Sequence, residues 1–202
     1  IPDASKLEPI EVKYHTDPEG FSPFKRDPET LARVWAKPGT PGLEHRIGGI
    51  EKDSNSGHIS YDPANHHKMT LTRAQKVQNV RQILPPATLE QGESQGDVLV
   101  IGWGSTYGAI SQAVEQLRKR GRRVSHLHLR HIWPLPAGLK ELCGRFDQVV
   151  VPELNNGQLA RLLRAELLVD AQSFPKIAGQ PFKIREIVEE IENRLAQKEV
   201  SR

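Results

Sequence analysis

The sequence predicts a three-layer α/β/α domain around a mostly parallel sheet over residues 97–202, preceded by an extended Pro/Gly-rich arm and a short helix. Two observations carry this. From Asp97 onward, short apolar β-rich runs alternate with amphipathic helical stretches, the pattern of a parallel sheet covered on both faces. Before residue 65 that rhythm is absent, and eight of the fifteen prolines crowd together (2, 9, 18, 23, 28, 38, 41 and 63) with six of the sixteen glycines. Proline fixes φ and removes a backbone donor, so long helices and central strands are not expected there.

The arm is nevertheless apolar in places. Leu7, Ile10, Val12, Tyr14, Phe21, Phe24, Leu31, Val34, Trp35, Leu43, Ile47 and Ile50 are spread through it without a period. A structureless stretch of this length is uncommon inside a compact domain, so the arm is expected to lie on another surface. The chain opens on Ile1 rather than Met, so it is read as processed, trimmed or a piece of something longer. Asp62 or Asn65 can cap the helix that follows, with Met69, Ala74, Val77, Val80 and Ile83 at near-helical spacing until Pro85-Pro86. The expected organisation is an arm and helix over 1–84, a linker over 85–96 and the α/β domain over 97–202.

In the α/β domain, Val98-Leu99-Val100-Ile101 is uninterrupted, as in a strand buried on both faces. A glycine turn leads to a helix with Ala109, Ile110, Ala113, Val114 and Leu117 on one stripe, ended by Gly121. Val124–Leu129 reads as an alternating second strand, and residues 137–145 as a short helix after Pro134 and Pro136. Gln148–Val151 makes a third strand with Pro152 just past it. A helix with Leu159, Leu162, Leu163 and Leu167 follows, then a fourth strand over Val169–Phe174. The last helix carries Ile184, Ile187, Val188, Ile191 and Leu195 on one stripe.

Composition narrows the function. The formal charge of +3 is well short of a dedicated nucleic-acid binder, and mean hydropathy is −0.54. No apolar run approaches the ~20 residues of a membrane helix, and no signal-peptide pattern opens the chain; nucleic acid and membrane are not expected partners, and the expected location is cytoplasmic. The one cysteine, Cys143, cannot form a disulfide framework or supply the roughly four thiolates of an iron–sulfur cluster.

Gly102-Trp-Gly-Ser-Thr-Tyr-Gly108 lies between a strand and a helix, where free N–H groups and the helix dipole favour an anion. Gly102, Gly104, Ser105, Thr106 and Gly108, with Arg130, are the candidate binding residues for a phosphate or carboxylate. A purely structural turn capped by Ser105 or Thr106 is the reading that the residues alone favour over such a ligand. The third glycine comes one place late for a dinucleotide fingerprint, and Arg130-His131 stand where its acidic residue belongs. His126, His128, His131 and His66-His67 lack metal-ligand spacing and read as core or interface histidines. Arg118–Arg123 reads as a solvated helix end, and Cys143 as a buried small hydrophobe without a base to activate it. No catalytic apparatus is visible.

Pro38-Gly-Thr-Pro-Gly-Leu-Glu-His-Arg-Ile-Gly-Gly-Ile-Glu-Lys-Asp53 resembles the alpha subunit of 2-oxoacid:ferredoxin oxidoreductases, especially the 2-oxoglutarate type. Ile59–Pro63 with Asn65 and His66, Gly102–Ile110, His128–His131 with Pro134–Pro136, Val151–Glu153, Gly157–Leu159 and Pro181-Phe182 follow in the family's order. Trp133 and Asn156 depart from the pattern at strand–helix turns. The resemblance implies that this is the C-terminal portion of a longer alpha subunit: residues 1–84 leave a pyrimidine-type thiamine domain, and 97–202 resemble a transketolase C-terminal domain. It implies a complex that oxidatively decarboxylates a 2-oxoacid, yielding acyl-CoA, carbon dioxide and reduced ferredoxin.

The cofactors of that full complex are thiamine diphosphate, Mg2+, an iron–sulfur cluster and coenzyme A, none of them expected on this chain alone. The implied partners are a beta subunit, ferredoxin indirectly, and a second alpha subunit. No catalytic residue carries over, and this chain alone is expected to be inactive. Glu44, His45 and Arg46 are the expected interface residues. The Gly102–Gly108 turn with Arg130 is the candidate site for a coenzyme A phosphate.

Overall fold

The computed structural model describes residues 3–9 and 11–200, with the side chains of 199 and 200 excepted. The expected apolar position Ile10, with Ile1 and Pro2, lies outside the described residues. The chain divides into two units, one ending at Ile83 and the other beginning at Leu84.

The first unit holds little regular structure before its helix. A 3-10 turn spans Ala4–Lys6, and isolated bridges pair His15 with Ala36, Arg26 with Arg33 and Lys52 with Ile59. Side-chain turns do the work of a sheet ladder. Asp27 accepts from the N–H groups of Glu29 and Thr30, and Asp53 from those of Asn55 and Ser56. The Pro/Gly-rich arm precedes the helix as expected, and between residues 15 and 62 it folds back locally through tight turns and these bridges.

Helix α1 spans Pro63–Asn79 and continues as a 3-10 turn over Val80–Gln82, longer than the short helix expected. Asp62 is the cap, accepting from Ala64 and Asn65 N–H groups, with Pro63 at the first helical position. Asn65 instead is buried, donating to the Lys52 carbonyl at 2.8 Å and accepting from Ser54 N at 3.0 Å. Of the expected stripe, Met69 is buried, whereas Val77, Val80 and Ile83 are exposed. The spacing was right for a helix, but this unit offers no second surface to cover that face. Phe24, Leu43 and Met69 are its buried apolar side chains, while Trp35, Ile47, Tyr61 and Ile83 are each more than 60% exposed.

The second unit is a five-stranded sheet. Its strands are β1 (Leu89–Gln91), β2 (Gly96–Trp103), β3 (Val124–Leu129), β4 (Phe146–Glu153) and β5 (Ala171–Pro175), in the order β1-β3-β2-β4-β5. All neighbours are parallel except the β1–β3 pair. The reading of 85–96 as a plain linker is therefore corrected: Leu89 lies opposite Leu127, and Ala87 N donates to the Ala137 carbonyl at 2.8 Å. This polar segment becomes a strand because β3 has an open edge to pair.

Helices α2 (Tyr107–Lys119) and α5 (Ile184–Val200) cover one face; α3 (Leu139–Cys143) and α4 (Gln158–Leu167) cover the other. Val98, Val100 and Val124 meet Ile110, Leu117 and Ile191 on the first face, while Leu99, Ile101 and Leu127 meet Leu139, Leu142 and Leu163 on the second. This is the three-layer α/β/α architecture. Two strand details are corrected. β3 shows no alternation of burial, because both its faces are roofed. Pro152 sits inside β4 opposite Phe174, beyond Val150, where the pairing with β2 ends.

Candidate functional site

β2 continues to β3 on one side, whereas β4 returns to its other side. That makes the C-terminal ends of β2 and β4 a topological switch point, the place where open α/β sheets leave a crevice. A cleft of about 190 Å3 lies there, lined by Trp103, Gly104, Ser105, Thr106, Leu154 and Asn155.

Each glycine of the turn does something different. An added Cβ at Gly102 meets Ile110 Cδ1 at 2.5 Å and Thr106 Oγ1 at 3.0 Å, so this glycine admits α2 against the sheet. Gly104 has φ +56° and open space beside it, so its role is the left-handed bend. Gly108 has neither constraint. Thr106 is buried and committed to the turn: its Oγ1 accepts from Trp103 N at 3.2 Å and donates to Trp103 O at 2.8 Å. Ser105 is exposed and has no partner among the described residues. Gly102→Ala is expected to cost about 1–3 kcal/mol through overpacking; an unchanged denaturation midpoint contradicts that assignment.

Across the cleft, a buried carboxylate already fills the N-terminus of α4. Glu153, fully buried at the end of β4, accepts from Leu159 N at 2.8 Å and Ala160 N at 3.1 Å. Asn155 Oδ1 accepts from Gly157 N and Gln158 N at 2.9 and 3.0 Å. An external anion therefore finds four donors of this end occupied, and the cleft's free capacity lies on the Gly104-Ser105 side. Sequence reading missed Glu153 and Asn155 as locking residues, although an acidic residue just ahead of a glycine-led helix was the available signal.

Arg130 does not line this cleft. Its Nη2 donates to Glu90 Oε1 at 3.2 Å, and Tyr107 Oη donates to Glu90 Oε2 at 3.2 Å. Arg130 instead borders a separate cavity of about 60 Å3 together with Glu90, His128 and Pro136. The grouping of Arg130 with the glycine turn is thus corrected: the intervening strand β3 carries it to the other side of β2, and β1 supplies its counter-charge. Tyr107 also packs on the two strand histidines, its ring centroid 5.5 Å from that of His126 and 5.0 Å from that of His128. His126 is fully buried with neither ring nitrogen hydrogen-bonded. Burial, then the neighbouring His128, pushes it down to about 4. His131, read as a core or interface histidine, is exposed.

The basic run is paired within the chain. Arg118 meets Glu93 at 3.3 Å, Lys119 meets Glu115 at 2.7 Å, and Arg122 and Arg120 meet Glu192 at 2.8 and 3.7 Å. Cys143 is buried, and burial pushes its thiol up to about 11, the opposite of an activated nucleophile. In the first unit, His45 Nδ1 lies 2.8 Å from the Leu43 carbonyl and its ring 5.5 Å from Phe21. Glu44 and Arg46 are exposed, with no ion pair among the described residues. No group of three metal-ligating side chains occurs among the described residues, and no described helix is long and apolar enough to cross a membrane.

Comparison with known proteins fits this architecture. Residues 96–187 match the family described as pyruvate:ferredoxin oxidoreductase core domain II. The 2-oxoglutarate oxidoreductase subunit KorA of Mycobacterium tuberculosis is 47% identical over 93% of this chain, which spans 28% of that protein. Subunit alpha of 2-oxoacid:ferredoxin oxidoreductase 1 of Aeropyrum pernix is 31% identical over 83% of this chain, which spans 27% of it. Among solved structures, the 2-oxoglutarate:ferredoxin oxidoreductase of Magnetococcus marinus, with 2-oxoglutarate, coenzyme A and succinyl-CoA bound, matches with a TM-score of 0.86. It is 28% identical, and the match covers 95% of this chain and 34% of that one.

Proposed function

Because the chain belongs to the 2-oxoacid:ferredoxin oxidoreductase family, we propose that it is the non-catalytic C-terminal portion of that enzyme's alpha subunit, acting in the cytoplasm. Its role is assembly. Residues 1–84 dock on the thiamine-binding parts of the enzyme, and residues 97–202 buttress them. The observation that carries this reading is the uncovered apolar surface of the first unit, where Trp35, Ile47, Tyr61 and Ile83 face solvent. Large apolar side chains left to solvent beside only a few buried ones are what a docking face offers. Glu44 and Arg46 lie free to make charge-assisted pairs across such an interface.

The chemistry of the whole enzyme is the oxidative decarboxylation of a 2-oxoacid, with 2-oxoglutarate the favoured substrate given the two 2-oxoglutarate relatives. Thiamine diphosphate with Mg2+ supplies a carbanion equivalent, an iron–sulfur cluster carries electrons towards ferredoxin, and coenzyme A accepts the acyl group. The residues of this chain do not fit the metal-bearing groups: one cysteine, itself buried, cannot ligate a cluster. The beta subunit holds those groups, and this chain holds the beta subunit in place, with a second alpha subunit in contact.

The test is co-purification. The affinity-tagged chain, co-expressed with the enzyme's other polypeptides, is expected to retain a thiamine-binding partner through gel filtration. A monomer whose residues 3–83 resist protease on their own contradicts the reading.

A second reading is favoured by the switch-point cleft. With Glu153 and Asn155 filling the α4 side, Gly104 and Ser105 remain available for a phosphate of coenzyme A, alongside the flat surface of Trp103. Calorimetric titration of the isolated chain with coenzyme A tests it; no heat of binding ends it.

A further inference from the structure

Within the first unit lies a groove of about 670 Å3 whose composition is lopsided. Its base is apolar: Phe24 and Met69 are buried there, and Ile47, Ile50, Val77 and Val80 line it while remaining 39–79% exposed. Its walls are cationic. Arg26, Arg33, Lys52, Arg73 and Lys76 line it, against the single carboxylate of Glu51. That carboxylate is already divided between Arg73 Nη1 at 3.1 Å and His66 Nδ1 at 2.7 Å.

The remaining cations have no counter-charge among the described residues. Arg33 stacks over the Phe24 ring at 4.3 Å. Arg26 donates through Nη1 to the Leu31 carbonyl at 2.8 Å, and its Nε is buried without an acceptor. Burial, then the charges of Arg33 and Arg73, holds Arg26 below the usual guanidinium range. Lys52 spends its ammonium on the Gly48 and Ile50 carbonyls at 2.9 and 2.6 Å. Lys76 stands exposed on α1. Gathering like charges raises the energy of each one, and a carboxylate brought among them relieves all at once.

An occupant must satisfy the base as well as the walls. A small inorganic anion covers the cations but leaves the aliphatic side chains of the groove wet. An acidic peptide with interspersed aliphatic residues covers both. We infer that the groove seats an acidic, aliphatic-bearing segment of the oxidoreductase lying outside these 202 residues. Its carboxylates meet Arg26, Arg33 and Lys76, and its apolar side chains lie on Ile47, Ile50 and Val77. The inference rests on the assembly role proposed above and names the chemistry of the partner surface.

Zero-length carbodiimide coupling of the assembled enzyme, followed by mass spectrometry, reads this contact. The expected product joins Lys76 to an Asp or Glu outside this chain, in a segment flanked by aliphatic residues. Lys76→Glu, an exposed change on a helix that its cap holds, is expected to raise the concentration at half-dissociation at least about tenfold, with Lys76→Arg near the native value. Arg33→Glu should act in the same direction. Lys76 uncoupled in an intact assembly overturns the groove proposal alone. If inorganic pyrophosphate then protects Lys76 from an amine-acylating reagent, the groove is a small-anion site and the segment is excluded. A chain that never assembles removes both this inference and the assembly role.

Discussion

Glu153→Ala is expected to lower the stability of the α/β unit by about 2–4 kcal/mol, because the two N–H donors it caps at the start of α4 are left buried and unpaired. The geometry requires an effect of this size. The carboxylate is fully buried and is the acceptor for both Leu159 N and Ala160 N. Glu153→Gln keeps one carbonyl acceptor and turns an amide donor towards a second N–H, so it should fall between wild type and alanine. Urea denaturation monitored by far-ultraviolet circular dichroism gives the ranking. Equal stability of all three proteins contradicts the capping role. The same substitution also bears on the cleft, because opening the α4 N-terminus creates the anion-binding end that Glu153 now fills.

Acid is expected to weaken the same unit through His126. In the folded chain, burial, then His128, pushes this imidazole down to about 4, with Glu90 opposing. The neutral form is therefore the one the fold accepts. Above the unfolded value near 6.5 both states are neutral and stability is complete. As pH falls below 6.5, the unfolded chain takes up the proton first and stability declines, levelling off near pH 4. The fall from 6.5 to about 4 corresponds to about 3 kcal/mol. Burial also holds the neighbouring His128 below its ordinary value, which adds in the same direction. Since neither ring nitrogen of His126 is hydrogen-bonded, His126→Leu should preserve the fold at neutral pH and flatten much of this acid limb. A limb unchanged in the variant contradicts the assignment.

The parts of the fold legible in the sequence are those where local pattern and tertiary environment agree. Val98–Ile101 reads as a doubly buried strand and is one, because helices roof both sides of β2. The α2 and α5 stripes read correctly for the same reason. Leu89–Gln91 did not read as a strand, since its three residues are mostly polar and the pairing comes from β3's need for an edge partner. Pro152 looked like a terminator, yet β2 has already stopped pairing with β4 at Val150. On α1, the period was legible, but whether Val77 and Val80 are covered depends on a surface that this unit lacks.

At the candidate site, the glycine turn announced itself by composition and by its place between a strand and a helix. What its neighbours do was not legible. The Arg130–Glu90 pair spans forty residues, and a glutamate at a strand end resembles any solvated charge until α4 closes over it. The groove in the first unit left even less trace. Arg26, Arg33, Arg73 and Lys76 are scattered over fifty positions without a motif, and only the chain's folding back gathers them.

The assembly role proposed above has these residues hold an oxidoreductase together without touching its reacting atoms. The most direct measurement compares the full alpha subunit with one lacking them, each co-expressed with its beta subunit, for complex formation and for 2-oxoacid- and coenzyme A-dependent viologen reduction. The truncated subunit is expected neither to co-elute with its partner nor to reduce the dye, and adding this chain in trans is expected to restore both. A truncated subunit that assembles fully and turns over at the native rate contradicts it.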